Sequence, residues 1–491
     1  MKRIGILTAG GDTPALNATI HGAVTRANQL HVEVFGLIKG FSSLFNPRVP
    51  HVHLNPLFNT IPELDPARGG TLLGASRDYV DENDKPTIRL IGDRLRSLGI
   101  EGLICVGGDG TLNGMQALSE SLPTVLAPKT IDNDLGLNYR HEPDEWERHG
   151  PHHSPVDHTP LPPPSPDATD TGGHWYTRAD TRTGFDLGQM VNYVTPGYAT
   201  SVFVSASGVQ RVRTTAESHR RIAIVEVMGR HSGYIALGSM YGQPDILLVP
   251  EHRLELGILV ERVKSIYERQ KHVVIVCGEG IIDEDGQELG AEIASSDPAG
   301  NKILTGASEA LRAVLVKELG DTFFTSKRRN ESARAAIFTR KIGHTQRGGR
   351  PILFDRFYAA QLGGHSVDLL TQGRINAVAI LNWSAKMGFH VSEIYANDFR
   401  DRWGHIHARK MHKSFYDPQN LRPAQLGIDY LSPIFTDAIG WDDLEAMRSD
   451  LFNLEHLAMP YHSVNTDIAR RIRLLPGSGP DTSSKVTGTP G

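Results

Sequence analysis

The chain has 491 residues, 39% of them hydrophobic and 22% charged, with a net charge of −5 at pH 7. That size suits two or three domain-sized units, and the acidic balance gives no global basic field to attract nucleic acid. No apolar run reaches the roughly 18–20 residues of a membrane span, and a chain opening directly on a strand leaves no room for a signal peptide, so a cytoplasmic protein is expected. The two cysteines, Cys105 and Cys277, sit in separate apolar runs and read as buried, reduced thiols.

Residues 3–8 form an apolar, β-prone run, followed by Gly10-Gly11 and a helical pattern from about Pro14 to Leu30. Strand, glycine loop and helix in that order open a doubly wound α/β fold. Ile88, Ile91, Leu95 and Leu98 recur at helical spacing between Pro86-Thr87 and Gly99. Leu103–Val106 then reads as a buried strand that delivers Gly107-Gly108. A helix from about Leu112 to Ser119 and a strand from Thr124 to Ala127 put Pro128–Asp134 at a strand's C-terminal end. Open α/β sheets bind ligands at that edge, so both turns are expected to face one crevice.

The stretch 140–173 carries Pro151, Pro155, Pro160, Pro162, Pro163, Pro164 and Pro166 with little apolar periodicity, which predicts a long surface loop. His152, His153 and His158 within it read as loop histidines rather than a metal site, since no fixed outer shell is visible. Further on, Arg221–Val227, Ile246–Val249 and Val273–Cys277 read as strands of a second α/β unit, with a helix over Leu256–Arg269. Residues after Leu474 have a disordered composition.

Two turns carry chemistry. Gly107-Gly108-Asp109-Gly110-Thr111 is a glycine-rich turn whose bare backbone lets N–H groups approach phosphate oxygens while a carboxylate holds a metal. Asp109 is the candidate Mg²⁺ ligand, with Gly108 and Gly110 leaving the nucleotide room; the same aspartate would also serve as a plain helix cap. One helix and one strand later comes Pro128-Lys129-Thr130-Ile131-Asp132-Asn133-Asp134. Asp132 is the candidate general base for an attacking hydroxyl. Asp134 would orient it or bind the sugar, and Thr130 would donate to the transferring phosphate. An Asx-type turn is the plainer alternative for the same string. Together the two turns read as a phosphoryl-transfer site.

This pair resembles the phosphofructokinase family, and so does the rest of the chain in order: Ile4–Pro14, Gly70–Arg77, Ser218–Ile222, Val225–Arg230, Gly343–Gly349 and Phe354-Asp355-Arg356. The resemblance implies two Rossmann-like three-layer α/β domains. A donor-binding domain would comprise 1–136 plus about 345–400, with 351–373 a helix returning to it. A fructose 6-phosphate domain would comprise 195–344 plus about 401–474. The remainder would be an inserted flexible loop over 137–194 and a disordered tail over 475–491.

It further implies that Gly10 begins a loop against the donor, and that Arg77 bridges the phosphates of donor and transition state. Arg221, Arg230, His344 and Arg347 match positions for the sugar phosphate, and Met228, Gly229 and Glu279 match those for the sugar. In the family, Arg221's counterpart reaches in from a neighbouring subunit, which implies a homo-oligomer, dimer or tetramer, with shared active sites. The chain departs from the pattern at Phe338, where the family usually has a phosphate-binding arginine; Arg334 and Arg340 are the candidates to replace it. It also departs at His21-Gly22-Ala23-Val24-Thr25, which lacks the effector-binding arginines of compact bacterial members, so weakened or absent ADP and phosphoenolpyruvate control is expected.

Donor choice divides the family. The resemblance reads Gly110 as room for the α-phosphate of ATP, where pyrophosphate users carry an aspartate, whereas Lys129 is typical of pyrophosphate users. A side chain that blocks is harder to bypass than an added cation, which favours ATP with Mg²⁺, with pyrophosphate as the alternative donor. Two other readings are weaker. A NAD or lipid kinase would share only the Gly107–Thr111 turn, and a non-catalytic regulatory subunit would be expected to have lost Asp109 or Asp132.

Overall fold

The computed structural model describes residues 1–76, 78, 80–154, 168–171, 173–179, 184–290, 295–296, 302–303, 306–326, 332–451 and 453–476. The first unit runs β1 (Arg3–Thr8), α1 (Leu16–Gln29), β2 (Glu33–Leu37), β3 (His51–His53), α2 (Lys85–Ser97), β4 (Gly102–Gly107), α3 (Asp109–Leu118) and β5 (Thr124–Pro128). In β4, Leu103, Ile104, Cys105 and Val106 are all fully buried. An unbroken apolar run of this kind belongs in a parallel sheet covered on both faces.

Three strands of an insertion follow: β6 (Trp146–Pro151), β7 (Thr169–Thr171) and β8 (His174–Arg178). The second unit contains α4 (Tyr198–His219), β9 (Ile222–Val227), β10 (Ile246–Leu248), α5 (Leu256–Gln270), β11 (Val273–Gly278) and β12 (Ile337–Lys341). The chain then returns through α6 (Leu353–Thr371), β13 (Ala377–Ser384) and β14 (Gly388–Tyr395), and reaches α7 (Gln425–Phe435).

The first sheet is ordered β14-β13-β5-β4-β1-β2-β3, and the second β10-β11-β9-β12. In the first, β1 lies between β4 and β2 and pairs parallel with both. The strand order therefore reverses at β1, and the crevice opens past its C-terminal end. Three consecutive strand ends converge there: Ala9 N donates to Val106 O at 3.0 Å, and Lys129 N to Gly107 O at 2.9 Å.

Helix α6 closes the first unit by lying on α1, and glycine makes the approach possible. A Cβ on Gly22 would come within 2.0 Å of Ala360 O, and one on Gly363 within 2.0 Å of Thr19 O. The stretch His21–Thr25 is thus partly taken up by this contact, with Ala23 and Val24 buried.

Two stretches carry contacts that the sequence does not announce. Pro155, Pro160, Pro162, Pro163, Pro164 and Pro166, on which the expected loop rests, lie outside the described residues; beside them the described β6, β8 and β7 form an antiparallel sheet. Its anchors are aromatic. Trp146 and Tyr176 are buried, and Trp146 stacks on His407 at 3.8 Å, a partner far along the chain that no local periodicity announces. Secondly, 401–474 does not belong wholly to the second unit. Tyr416 and Leu421 bond to Leu247 in β10, but Arg473 pairs with His51 through hydrogen bonds of 2.8 and 3.0 Å. The chain end thereby covers the edge strand β3, whose unpaired backbone would otherwise face water.

Candidate active site

The donor side is built from two turns. Gly10 adopts φ +79°, and a Cβ there would approach Thr111 Oγ1 and Lys129 Nζ to 3.7 and 3.8 Å. Gly108 precedes α3, and Asp109 opens it. The first-turn N–H groups of such a helix attract anions. Asp109 is exposed, and its Oδ1 accepts from Gly110 N at 2.7 Å. A Cβ on Gly110 would meet nothing within 4 Å, so the fold itself does not demand glycine at this position. Thr111 is buried beneath the turn.

Lys129 is buried, and its ammonium donates to the carbonyl of Gly11. Burial, and then Arg347, push its pKa down to about 8, while Asp12, Asp134 and Asp132 oppose. Arg347 reaches the same loop, with Nη1 3.4 Å from Asp12 O, and a Cβ on Gly11 would lie 2.6 Å from that nitrogen. Two cations thus hold the Gly10–Asp12 loop against the crevice. Asp12 is a neighbour that sequence reasoning left out of the site, although the Gly-Gly-Asp string signalled it.

The turn after β5 is rigid and mostly hidden. Thr130 Oγ1 donates to Asp134 Oδ1 at 2.9 Å and accepts from Asp132 N at 3.0 Å. The Thr130 hydroxyl thereby links the Asp134 carboxylate to the backbone N–H of Asp132. Asn133 takes φ +57°; its Oδ1 accepts from Thr195 N at 2.9 Å and its Nδ2 bonds Tyr430 Oη at 2.6 Å. Asp132 Oδ1 is buried and has no hydrogen-bond partner.

Burial pushes Asp132 up to about 6; Glu279 and Asp109 add to this, while Arg347 and Arg230 oppose. Burial, then Asp132 and Asp109, push Asp134 up to about 7 against the Thr130 hydrogen bond. The two carboxyls titrate as a pair.

The second sheet faces the same crevice with its strand ends. Met228 N donates to Gln346 Oε1 at 3.0 Å, and Gly229 takes φ +109° with Ser232 O only 2.5 Å from where a Cβ would sit. Gln346 also bonds Ser201 and Ser205 at 3.1 and 2.8 Å, locking the Gly343–Gln346 turn onto α4. Asp355 accepts from Thr200 N at 2.7 Å, so it secures the first turn of that helix. Arg230 Nε is buried without a partner. Burial raises Glu279, opposed by Lys341, Arg230 and Arg347. His344 is exposed in the Gly343–Gln346 turn.

Not every expected residue joins this crevice. Arg221 precedes β9 while Arg230 follows it, and six strand residues separate two points by roughly 20 Å. Arg221 therefore faces away from its own chain's site. Phe338 pairs with Ala223 at that far end, and Arg340 lays its guanidinium over the Phe338 ring at 5.2 Å. Arg334 is exposed in the short helix just before β12. Arg77 and His158 lie outside the described residues; His152 and His153 contact one another edge to face at 4.2 Å.

One residue gave no warning. Arg409 is buried and donates to the carbonyl oxygens of Asn133 and Asn192 at 2.7 and 2.6 Å. A buried arginine some 276 residues from its partner has no local signature.

The family model described as Phosphofructokinase matches residues 3–139 and 190–370, skipping the stretch that holds β6, β7 and β8. ATP-dependent 6-phosphofructokinase 2 of Streptomyces coelicolor is 32% identical over 383 residues, covering 77% of this chain and 90% of that one. The pyrophosphate–fructose 6-phosphate 1-phosphotransferase of the same organism is 31% identical over 383 residues, with coverage of 77% and 90%. The crystal structure of a pyrophosphate-dependent phosphofructokinase from Nitrosospira multiformis superimposes with a TM-score of 0.64 at 15% identity, covering 99% of this chain and 100% of that one. At that identity the likeness is one of fold.

Proposed function

The chain belongs to the phosphofructokinase family, and from that premise we propose that it transfers the γ-phosphoryl group of ATP to the 1-hydroxyl of fructose 6-phosphate, with Asp132 as general base. The observation that carries this reading is the buried, unpartnered Oδ1 of Asp132, set in the crevice that the Gly107–Thr111 turn also borders. A base needs a free acceptor within hydrogen-bond reach of the proton it takes, and Asp134, already engaged by Thr130, lacks one on that oxygen.

The residues fit Mg²⁺. This ion binds through one or two carboxylates plus substrate phosphates and keeps several waters. Asp109 offers one exposed carboxylate beside the helix terminus, and no group of three or more acidic, histidine or cysteine ligands occurs among the described residues. Bound there, Mg²⁺ would neutralise charge on the donor's phosphate oxygens. Asp132 would accept the sugar hydroxyl proton, Arg230, Arg347 and His344 would hold the sugar phosphate, and Glu279 with Met228 and Gly229 would orient the sugar. The position of Arg221 at the far end of β9 suits service to a neighbouring subunit, and hence a homo-oligomer.

Two observations favour ATP over pyrophosphate. Gly110 leaves open space that the fold does not require, and Lys129 is engaged with the Gly11 carbonyl, which leaves it less available to a short anionic donor. Relatives of both kinds are equally similar, so the donor must be measured. With purified protein, Mg²⁺ and fructose 6-phosphate, faster turnover on ATP than on pyrophosphate at matched concentrations is expected. Faster turnover on pyrophosphate overturns the donor assignment.

A further inference from the structure

We propose that Arg409 is a positioning residue for Asp132, and that the inserted β6-β8-β7 sheet braces the segment that delivers it. This rests on the reading of Asp132 as general base. The guanidinium of Arg409 reaches three carbonyl oxygens: Asn133 at 2.7 and 3.2 Å, Asn192 at 2.6 Å and Val191 at 3.4 Å. Its own backbone N donates to Asp134 O at 2.6 Å. The planar fork therefore fixes the Asp132–Asp134 turn to the strand-like segment 191–192, which no point-charge cation matches. Gly136 accommodates it: φ is +155°, and a Cβ would lie 2.5 Å from Arg409 Nη1.

Burying a charge on neutral carbonyls is costly, and an apolar residue of similar volume would be cheaper. What the charge secures is geometry. Asn133 is the left-handed residue next to Asp132, and its carbonyl is the one Arg409 grips twice. Tyr430, fully buried on α7, adds a second hold through the Asn133 amide.

The segment carrying Arg409 has its own anchors. Arg400 Nε donates to Gln116 Oε1 of α3 at 2.8 Å. Asp401 accepts from Trp403 N and His405 N at 2.8 and 2.9 Å and bonds His407 Nε2 at 2.9 Å. On this folded segment the insertion docks: Trp146 stacks on His407, and Tyr176 meets the rings of Trp403, His405 and His407 at 5.7, 5.5 and 5.0 Å. Past Arg409, Met411 N donates to Glu251, which also accepts from Gly233 N. One segment thus joins the insertion, the helix after the donor turn, the base turn and the sugar-side loop.

The test is steady-state kinetics of the full chain for Asp132→Asn, Arg409→Lys, the double variant and Tyr430→Phe, each with a thermal melt. A misplacement of about 1 Å costs on the order of 10²-fold in rate. Arg409→Lys is expected to lose about 10- to 100-fold in kcat with KM for both substrates nearly unchanged, and Tyr430→Phe to lose less with the same split. In the Asp132→Asn background the Arg409→Lys loss should vanish, because the residue acts through the base. Wild-type kcat in folded Arg409→Lys, or losses that multiply in the double variant, overturns the proposal. If Arg409→Lys does not fold, Tyr430→Phe decides by the same criterion: unchanged kcat overturns it. Full activity in Asp132→Asn alone would instead refute the base assignment.

Discussion

The two turns that meet in the crevice are held in opposite ways. Gly107–Thr111 is open: Asp109 and Gly110 are exposed, and Asp109's carboxylate bonds only the next backbone N–H among the contacts resolved at that turn. Thr130–Asp134 is hidden and cross-braced by Thr195, Arg409 and Tyr430, residues 62 to 297 positions away. The open turn is left for phosphate and cation to complete. The closed turn is completed by the protein, which suits the proposed base, since a proton acceptor must be held at a fixed distance. The candidate donor turn is thus a locally folded element, and the turn that carries Asp132 is a globally assembled one.

Substitutions should separate the two. The largest effect is expected at the closed turn: Asp132→Asn keeps an oxygen but removes the basic carboxylate, and is expected to lower kcat by about 10²–10⁴-fold at any Mg²⁺ concentration. At the open turn, Asp109→Asn is expected to raise the Mg²⁺ concentration for half-maximal turnover by about 10–100-fold while excess Mg²⁺ restores much of the rate. Titrating Mg²⁺ against both variants checks this; rescue of Asp132→Asn by Mg²⁺ would contradict the division. Gly110→Asp has room in the fold, so the protein should remain folded while kcat/KM for ATP falls about 10–200-fold relative to pyrophosphate. An unchanged donor ratio would mean that Gly110 does not set the preference.

The pH profile offers a smaller but sharper contrast. Burial raises the coupled Asp132–Asp134 pair into the range of about 6 to about 7, and the proposed base must be ionised. Turnover on saturating substrate is therefore expected to fall by about tenfold for each pH unit below this window. Stability moves the other way. Both carboxyls are raised in the folded state, which thus holds their protons more tightly than the unfolded chain does, and their burial cost disappears as pH falls from 7 towards 4. Activity lost together with stability over that range would point to unfolding rather than protonation of the base.

The same contrast explains what could be read along the chain. The strands over 3–8, 103–106 and 124–127, and the two turns they deliver, were legible because glycine placement and apolar runs are local signals. Asp109 and Asp132 stood out as candidates by residue type at a strand end, and the structure brings the two close enough to influence each other electrostatically. Arg409, Tyr430 and the left-handed Asn133 were not legible, since their meaning lies in contacts between distant segments. The insertion's sheet is hidden from the sequence for a related reason: Trp146 and Tyr176 anchor it by packing on residues 403–407, while the prolines from Pro155 to Pro166 that predict a loop lie outside the described residues. Thr130 is legible as a site residue from its place in the string, whereas its hydrogen bond to Asp134 is a contact within the turn that residue type does not give.

Glu251 tests the cost of the globally assembled half. Its Oε1 accepts from Gly233 N and Met411 N, both at 2.8 Å, and so ties the sugar-side loop to the segment that carries Arg409. Its Oε2 is buried without a partner, and burial pushes the carboxyl up to about 7 against those two hydrogen bonds. Above pH 7 the folded state carries a desolvated charge that the unfolded chain does not; below about 4.5 both states are protonated. The destabilisation therefore grows as pH rises from about 4.5 to 7. Glu251→Gln keeps an acceptor at Oε1 and removes the charge, so it is expected to raise unfolding free energy by about 1–3 kcal/mol more at pH 8 than at pH 5. Urea unfolding at the two pH values isolates the charge, because any packing cost of the amide is common to both. An equal effect at pH 5 and pH 8 would mean that Glu251 is already protonated or solvated, and that the joint between the two loops holds no buried charge.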